Sequence, residues 1–166
     1  ARYGIVTLLR AFMMLKNPSY RLVICGDGDS RNTVLECVKM DNRVSYKGQL
    51  PREEILVLQQ KATLLVNPRT SEGEFTKSKT IEYLASGTPV LLYKLAGIPD
   101  EYYEYCFTVE DNSDEALSKK IDEILNMDRA VLRSLGMRAR KFILTEKSPK
   151  NQCKKLVDLI ERIVES

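Results

Sequence analysis

Five short extended runs, at residues 22–25, 43–47, 63–66, 90–93 and 106–109, are separated by stretches of helical period. This alternation constrains the chain more than any other feature. Strands that do not alternate in polarity are covered on both faces, as in a parallel sheet with helices above and below. Residues 4–16 place Ile5, Leu8, Leu9, Phe12, Met13 and Leu15 on one helical side before Pro18 ends the run. Residues 31–40, 51–61 and 113–126 repeat the helical pattern, the last with Ser113 as its expected cap and Glu115 in its first turn. Residues 98–105 read as a short helix or turn, and helices over 128–146 and 150–165 finish the chain. The expected fold class is α/β, a Rossmann-like parallel sheet with helices on both faces. At 166 residues one domain is expected, large enough to bury a core.

Composition excludes several function classes. There is no histidine, so no Ser-His-Asp or Cys-His nucleophile can be assembled and a zinc site is not expected. Proton transfer near neutral pH would fall to carboxylates, tyrosine, lysine, the substrate or another polypeptide. Twenty-six basic against 23 acidic residues give +3, too mild a balance to point to nucleic acid. No apolar run approaches the roughly 18 residues that span a bilayer, and no signal peptide is expected. Cys25, Cys37, Cys106 and Cys153 are widely spaced and form no C-x-x-C pair. They are expected to be reduced and structural, which suits a reducing, cytoplasmic setting.

The chemistry is concentrated in residues 67–90. An extended run ends at Asn67-Pro68, a charged turn follows, and a short helix stopped by Gly87 leads to the next strand. Glu74 and Glu82 lie eight residues apart, with Lys77 and Lys79 between them. A helix start carries unpaired N–H groups and a partial positive charge, so it suits a phosphate. A cation in a first helical turn opposes the helix dipole, and Lys79 is easier to understand if an anion sits there. A carboxylate one turn further in accepts hydrogen bonds from sugar hydroxyls. The competing reading is a solvated charged loop.

Gly26-Asp27-Gly28 also follows a strand and precedes a helix. A dinucleotide fingerprint would need a third glycine where Arg31 stands and an acid about 20 residues on, where Tyr46, Lys47 and Gly48 lie. A tight turn bordering a ligand cleft is the preferred reading. Three polar turns, at 26–30, 48–52 and 68–79, leave strands in one direction and should converge on the sheet's carboxyl edge. Tyr83, Tyr93, Tyr102, Tyr103 and Tyr105 suit packing better than stacking on bases. Arg138, Arg140, Lys141, Lys154 and Lys155 read as a solvated face, the alternative being contact with a membrane surface or an anionic partner.

At these residues the chain resembles the C-terminal, donor-binding half of a GT-B glycosyltransferase of the group 1 retaining class. Tyr3-Gly4-Ile5 with Leu8-Leu9 and Ala11-Phe12 is similar to that family's first helix. Residues 22–28 resemble its strand and G-x-G turn, and Val44 to Leu50 its base-receiving segment. The most specific element is Glu82 to Val90, similar to E-x-x-x-x-G-x-P-V. Ser78-Lys79 followed by Glu82-Tyr83-Leu84-Ala85-Ser86-Gly87 is similar to transferases of bacterial capsule and exopolysaccharide assembly.

The resemblance implies roles. Glu82 would bind ribose hydroxyls, and Glu74 would lie against the donor sugar as the catalytic glutamate. Ser78 and Lys79 would meet the diphosphate. Gln49 and Leu50 would meet the base through main-chain groups, and Gly26 and Gly28 would border the cleft. It implies a nucleotide-sugar co-substrate, a UDP-sugar, with no cofactor and no metal. The acceptor would be a saccharide or lipid-linked acceptor, met at the inner face of the plasma membrane with peripheral contact. The family's first strand and its N-terminal acceptor-binding domain would lie outside residues 1–166. Two departures stand out: Tyr3 occupies a place commonly held by a phosphate-binding lysine, and no aromatic-Pro pair separates Lys77 from Ser78. A UDP-sugar epimerase of related fold and a degenerate docking module are the alternatives.

Overall fold

The computed structural model describes residues 4–69, 77–95 and 97–164. Its elements run α1 Ile5–Met14, β1 Leu22–Ile24, α2 Arg31–Met40, β2 Val44–Tyr46, α3 Arg52–Lys61, β3 Leu65–Asn67, α4 Lys77–Ser86 and β4 Val90–Tyr93. A 3-10 turn over Asp100–Tyr105 leads to β5 Phe107–Val109, then α5 Asp114–Leu125, α6 Arg129–Glu146 and α7 Pro149–Val164. The order matches the alternation in the sequence, with ends displaced by a residue or two, where helices and strands fray. Within residues 98–105, read as a short helix or turn, Asp100–Tyr105 form the 3-10 turn. The Ser113 hydroxyl caps α5 by accepting from the Ala116 amide at 3.2 Å.

All observed pairings are parallel. β1 pairs with β2 (Val23 opposite Ser45), β3 with β4 (Val66 opposite Leu91) and β4 with β5 (Leu92 opposite Thr108). Where one sheet was expected, the strands fall into a pair and a triplet, because β1 and β3 are not hydrogen-bonded to one another. The chain grows outward in opposite directions from that interval, which makes it the topological switch point.

The reason for two covered faces is visible in β4, whose four residues are all buried. Leu91 and Tyr93 join a core with Leu8, Leu9 and Phe12 of α1, Val34 of α2 and Leu117 and Ile121 of α5. That core also takes Ile24 of β1 and Val44 of β2, so the two strand sets share it. Val90 and Leu92 face the other way, onto Leu84 of α4 and Ala139, Phe142 and Ile143 of α6. Burying such a side chain is worth about 1.5–3 kcal/mol, so β4 is the natural centre of the domain.

The tyrosines pack as expected. Tyr105 stacks on Phe142 at 4.3 Å between ring centroids, and Tyr102 meets the same ring edge-on at 5.5 Å. One surface expectation is corrected. Arg140 is not on a solvated face: its Nη1 donates to the Ala85 carbonyl at 2.7 Å, because α6 packs along α4 and brings the guanidinium over that helix's last turn. No helix among the described residues is long and apolar enough to cross a membrane.

Candidate functional site

Of the expected site residues, Gly26, Gly28, Gln49, Leu50, Lys79 and Glu82 are described, and they lie on the turns and the helix that follow the carboxyl ends of β1, β2 and β3. The turn after β1 is fixed to the turn after β2 by backbone: the Gly26 amide donates to the Gly48 carbonyl at 2.7 Å, and the Lys47 amide to Ile24 at 2.9 Å. The Tyr46 hydroxyl donates to the Gly26 carbonyl at 2.7 Å. Gly26 holds φ at 117°, in the left-handed half of the map. Gly28 is exposed, with open space where a side chain would begin. Gln49 is exposed and Leu50 half-buried, directly before α3.

Gly4, which begins α1, also reaches this edge. Its φ is 62°, and a Cβ there would stand 1.8 Å from the Pro68 carbonyl oxygen. Glycine is therefore required twice over, by backbone conformation and by contact. The contact sets the start of α1 beside the end of β3. No side chain caps that start, and no acid occupies its first turn.

Helix α4 begins at Lys77, so Lys79 lies in its first turn as expected. Ser78 lies in the same turn by backbone, but its side chain is outside the described part, and Glu74 lies outside the described residues altogether. Glu82, one turn further on, has a side chain 24% exposed. Its Oε1 accepts from Lys79 Nζ at 3.2 Å and from Gln59 Nε2 at 2.8 Å. Burial pushes the Glu82 carboxyl up, but the bonds from Gln59 and Lys79, with the charges of Lys79 and Arg52, outweigh it and hold the group below its ordinary value. Glu82 is thus an ionised acceptor at neutral pH. The Tyr83 hydroxyl is pushed up, chiefly by burial and then by the charges of Glu82 and Cys25.

Stability does not explain this arrangement. Lys79 is 59% exposed, and an ion pair so open to water contributes less than about 1 kcal/mol. Its charge also opposes the α4 dipole. What the geometry offers is a helix start, an ammonium and a fixed carboxylate close together, a set able to take an anionic group and neighbouring hydroxyls.

Sequence reasoning missed two members. Gln59 is the most buried residue of α3, at 5% exposure, and Arg52 stands at the start of that helix within electrostatic reach of Glu82. A signal for Gln59 existed: it follows Ile55 by four residues, which puts an amide on the helix's apolar side. Among the described residues, no three His, Cys, Asp or Glu side chains are grouped to hold a metal ion.

Residues 1–142 match the family model described as Glycosyl transferases group 1. No curated protein sequence matches the chain. Among solved structures it is similar to the sucrose-phosphate synthase of Thermosynechococcus elongatus, with 26% identity and a TM-score of 0.75 over 99% of this chain and 43% of that one. It is similar also to a glycosyltransferase from Rickettsia africae, with 22% identity and a TM-score of 0.76 over 100% of this chain and 46% of that one. A third is Anabaena HepE, solved with UDP and glucose, with 16% identity and a TM-score of 0.75 over 97% of this chain and 45% of that one. The last two likenesses concern the fold alone. This chain spans less than half the length of each of the three.

Proposed function

We infer the function from one premise: the chain belongs to the group 1 glycosyl transferases. It is the donor-binding part of a transferase that takes a nucleoside diphosphate sugar and passes the glycosyl group to a saccharide or lipid-linked acceptor in polysaccharide assembly. The single observation carrying this reading is Glu82, ionised and held on one oxygen, beside Lys79 in the first turn of α4. A diphosphate at that helix start accounts for the lysine, and ribose hydroxyls account for the carboxylate.

In this reading Ser78 and Lys79 meet the diphosphate, Gln49 and Leu50 the base, Gly26 and Gly28 border the cleft, and Glu74 contacts the donor sugar. Charge growing on the leaving diphosphate is met by amide dipoles and an ammonium, a combination that needs no metal. A uridine donor is favoured by the likeness in fold to a protein solved with UDP and glucose. Retention of anomeric configuration follows the family resemblance, as does work at the cytoplasmic face of a membrane.

A strand entering α1, and an acceptor-binding domain ahead of it, belong to the same reading. Support for the strand comes from the interval between β1 and β3. Helix α1 packs in the core that both strand sets share, and its start lies against Pro68. By the right-handed crossover rule, a parallel strand leading into α1 fits beside β1 in that interval.

Calorimetric titration of the full-length protein with UDP, GDP and ADP tests the proposal. UDP should bind, and Glu82→Ala and Lys79→Ala should each weaken it roughly tenfold or more. Absence of nucleotide binding would overturn the donor-site reading and favour a docking module.

A further inference from the structure

Gln59 is a residue to which the reading above assigns no role of its own in donor recognition. It lies on the inner side of α3, 5% exposed, and its own carbonyl accepts from the buried Thr88 hydroxyl at 2.7 Å. That bond ties α3 to the segment joining α4 to β4. Its amide nitrogen faces Glu82 because a carboxylate can only accept, and the bond at 2.8 Å follows. The consequence is a buried Oε1 with no hydrogen-bond partner. A buried amide with one satisfied end is poorer for stability than an apolar side chain of the same size.

The two donors to Glu82 converge on one oxygen. Gln59 Nε2 and Lys79 Nζ both reach Oε1, and Oε2 accepts from no described residue. They are not equivalent. Lys79 is a mobile, exposed ammonium beside a helix start, and an incoming diphosphate would draw it away from Glu82. Gln59 is buried, fastened through its backbone and uncharged, so a phosphate does not compete for it. Being neutral, it also leaves the carboxylate its full negative charge.

We propose that Gln59 is a positioning residue for donor recognition: it fixes Glu82 through Oε1 so that Oε2 is left to accept from the vicinal hydroxyls of the donor's ribose. The inference rests on the reading of Glu82 as the ribose acceptor. It assigns the selectivity for a ribonucleotide to a pair of residues on different helices, α3 and α4, rather than to Glu82 alone.

The test compares UDP with 2′,3′-dideoxyuridine diphosphate by calorimetric titration of the full-length protein. The unsubstituted protein should prefer UDP roughly tenfold or more, the scale of hydrogen bonds to a charged group. Gln59→Leu should bind the dideoxy compound as before and lose most of that preference, while its thermal midpoint holds or rises because the orphaned carbonyl is gone. Gln59→Glu adds a pH readout. Two carboxylates at this distance share a proton when acidified, so the preference should return at low pH, where the introduced carboxyl can donate, and vanish near neutrality. Gln59→Leu and Gln59→Glu proteins that keep the full ribose preference near neutral pH, in a protein where Glu82→Ala abolishes it, would overturn this inference and leave the donor site standing. An unsubstituted protein that binds UDP without any ribose preference sinks both the role of Glu82 and that of Gln59. One that binds none of UDP, GDP and ADP sinks the donor-site reading first, and this inference with it.

Discussion

Arg140 of α6 donates from Nη1 to the carbonyl oxygen of Ala85 at 2.7 Å, and so satisfies a terminal carbonyl of α4, the helix that opens at the candidate site. A helix leaves its last carbonyls without partners, and a guanidinium is well suited to them in both charge and geometry. Arg140→Ala should cost about 1.5–3 kcal/mol, the range for a hydrogen bond to a charged group. Urea unfolding measures this, and a midpoint equal to that of the unsubstituted protein would show that the bond contributes nothing.

Nearby, α6 approaches the turn after α4 so closely that a Cβ on Gly136 would stand 2.1 Å from the Gly87 carbonyl oxygen. The obstacle is backbone and cannot swing aside. Gly136→Ala should therefore destabilise the protein by about 1–3 kcal/mol or more, through overpacking, despite alanine's better helix propensity. A Tm equal to or above that of the unsubstituted protein would contradict the close approach.

Asp41 and Arg43 supply an acid-sensitive contact far from the site. The guanidinium donates from Nη2 to Oδ2 at 2.7 Å and from Nε to Oδ1 at 3.0 Å, with each side chain 14% exposed. Its Nη1 also donates to the Leu15 carbonyl at 2.6 Å, and it lies 5.0 Å above the Phe12 ring. Side-chain hydrogen bonding from Arg43 holds the Asp41 carboxyl below the usual carboxylate range, against a smaller upward push from burial. A depressed native value means that the stabilisation is complete above the unfolded value of about 3.9 and is lost as pH falls through the native one. Asp41→Asn should flatten the loss of stability below about pH 4, and Arg43→Ala should cost about 3 kcal/mol at neutral pH. Denaturant unfolding across pH checks both, and an unchanged slope with Asn would reject the assignment.

The four thiols should react in an order set by burial. Burial pushes Cys106 up to about 12 and raises Cys25 and Cys37 as well, with Lys47 partly offsetting the effect at Cys25. Cys153 is exposed on α7. A thiol reagent near neutral pH should label Cys153 first and reach Cys106 only on unfolding, since the thiolate is the reactive form. Mass spectrometry of a time course gives the order, and early labelling of Cys106 would refute it.

Much of this protein is legible in local sequence. The α2 span of 31–40 and the β4 span of 90–93 agree with the structure at both ends, and the Ser113 cap with its acidic first turn is in place. The Lys79–Glu82 pair is also visible, because a spacing of three on a helix sets neighbours by geometry alone. Arg140 escapes such a reading because its exposure depends on where α6 lies against α4, and no periodicity within α6 carries that. Gln59 is legible only in part: its spacing from Ile55 signals an amide on the apolar side of α3, but its partner is 23 residues away on another helix.

By itself, then, the sequence determined the α/β class, the succession of elements and the family, since each depends on short-range patterns of apolar, glycine and charged residues. Tertiary structure decided the rest: the division of the strands into a pair and a triplet, the approach of Gly4 to Pro68, and the donors that hold Glu82 on one oxygen. Apolar burial is non-directional and can be read from composition along a face, whereas a buried polar group is defined by the partner it meets. That partner is chosen only when distant segments close on one another.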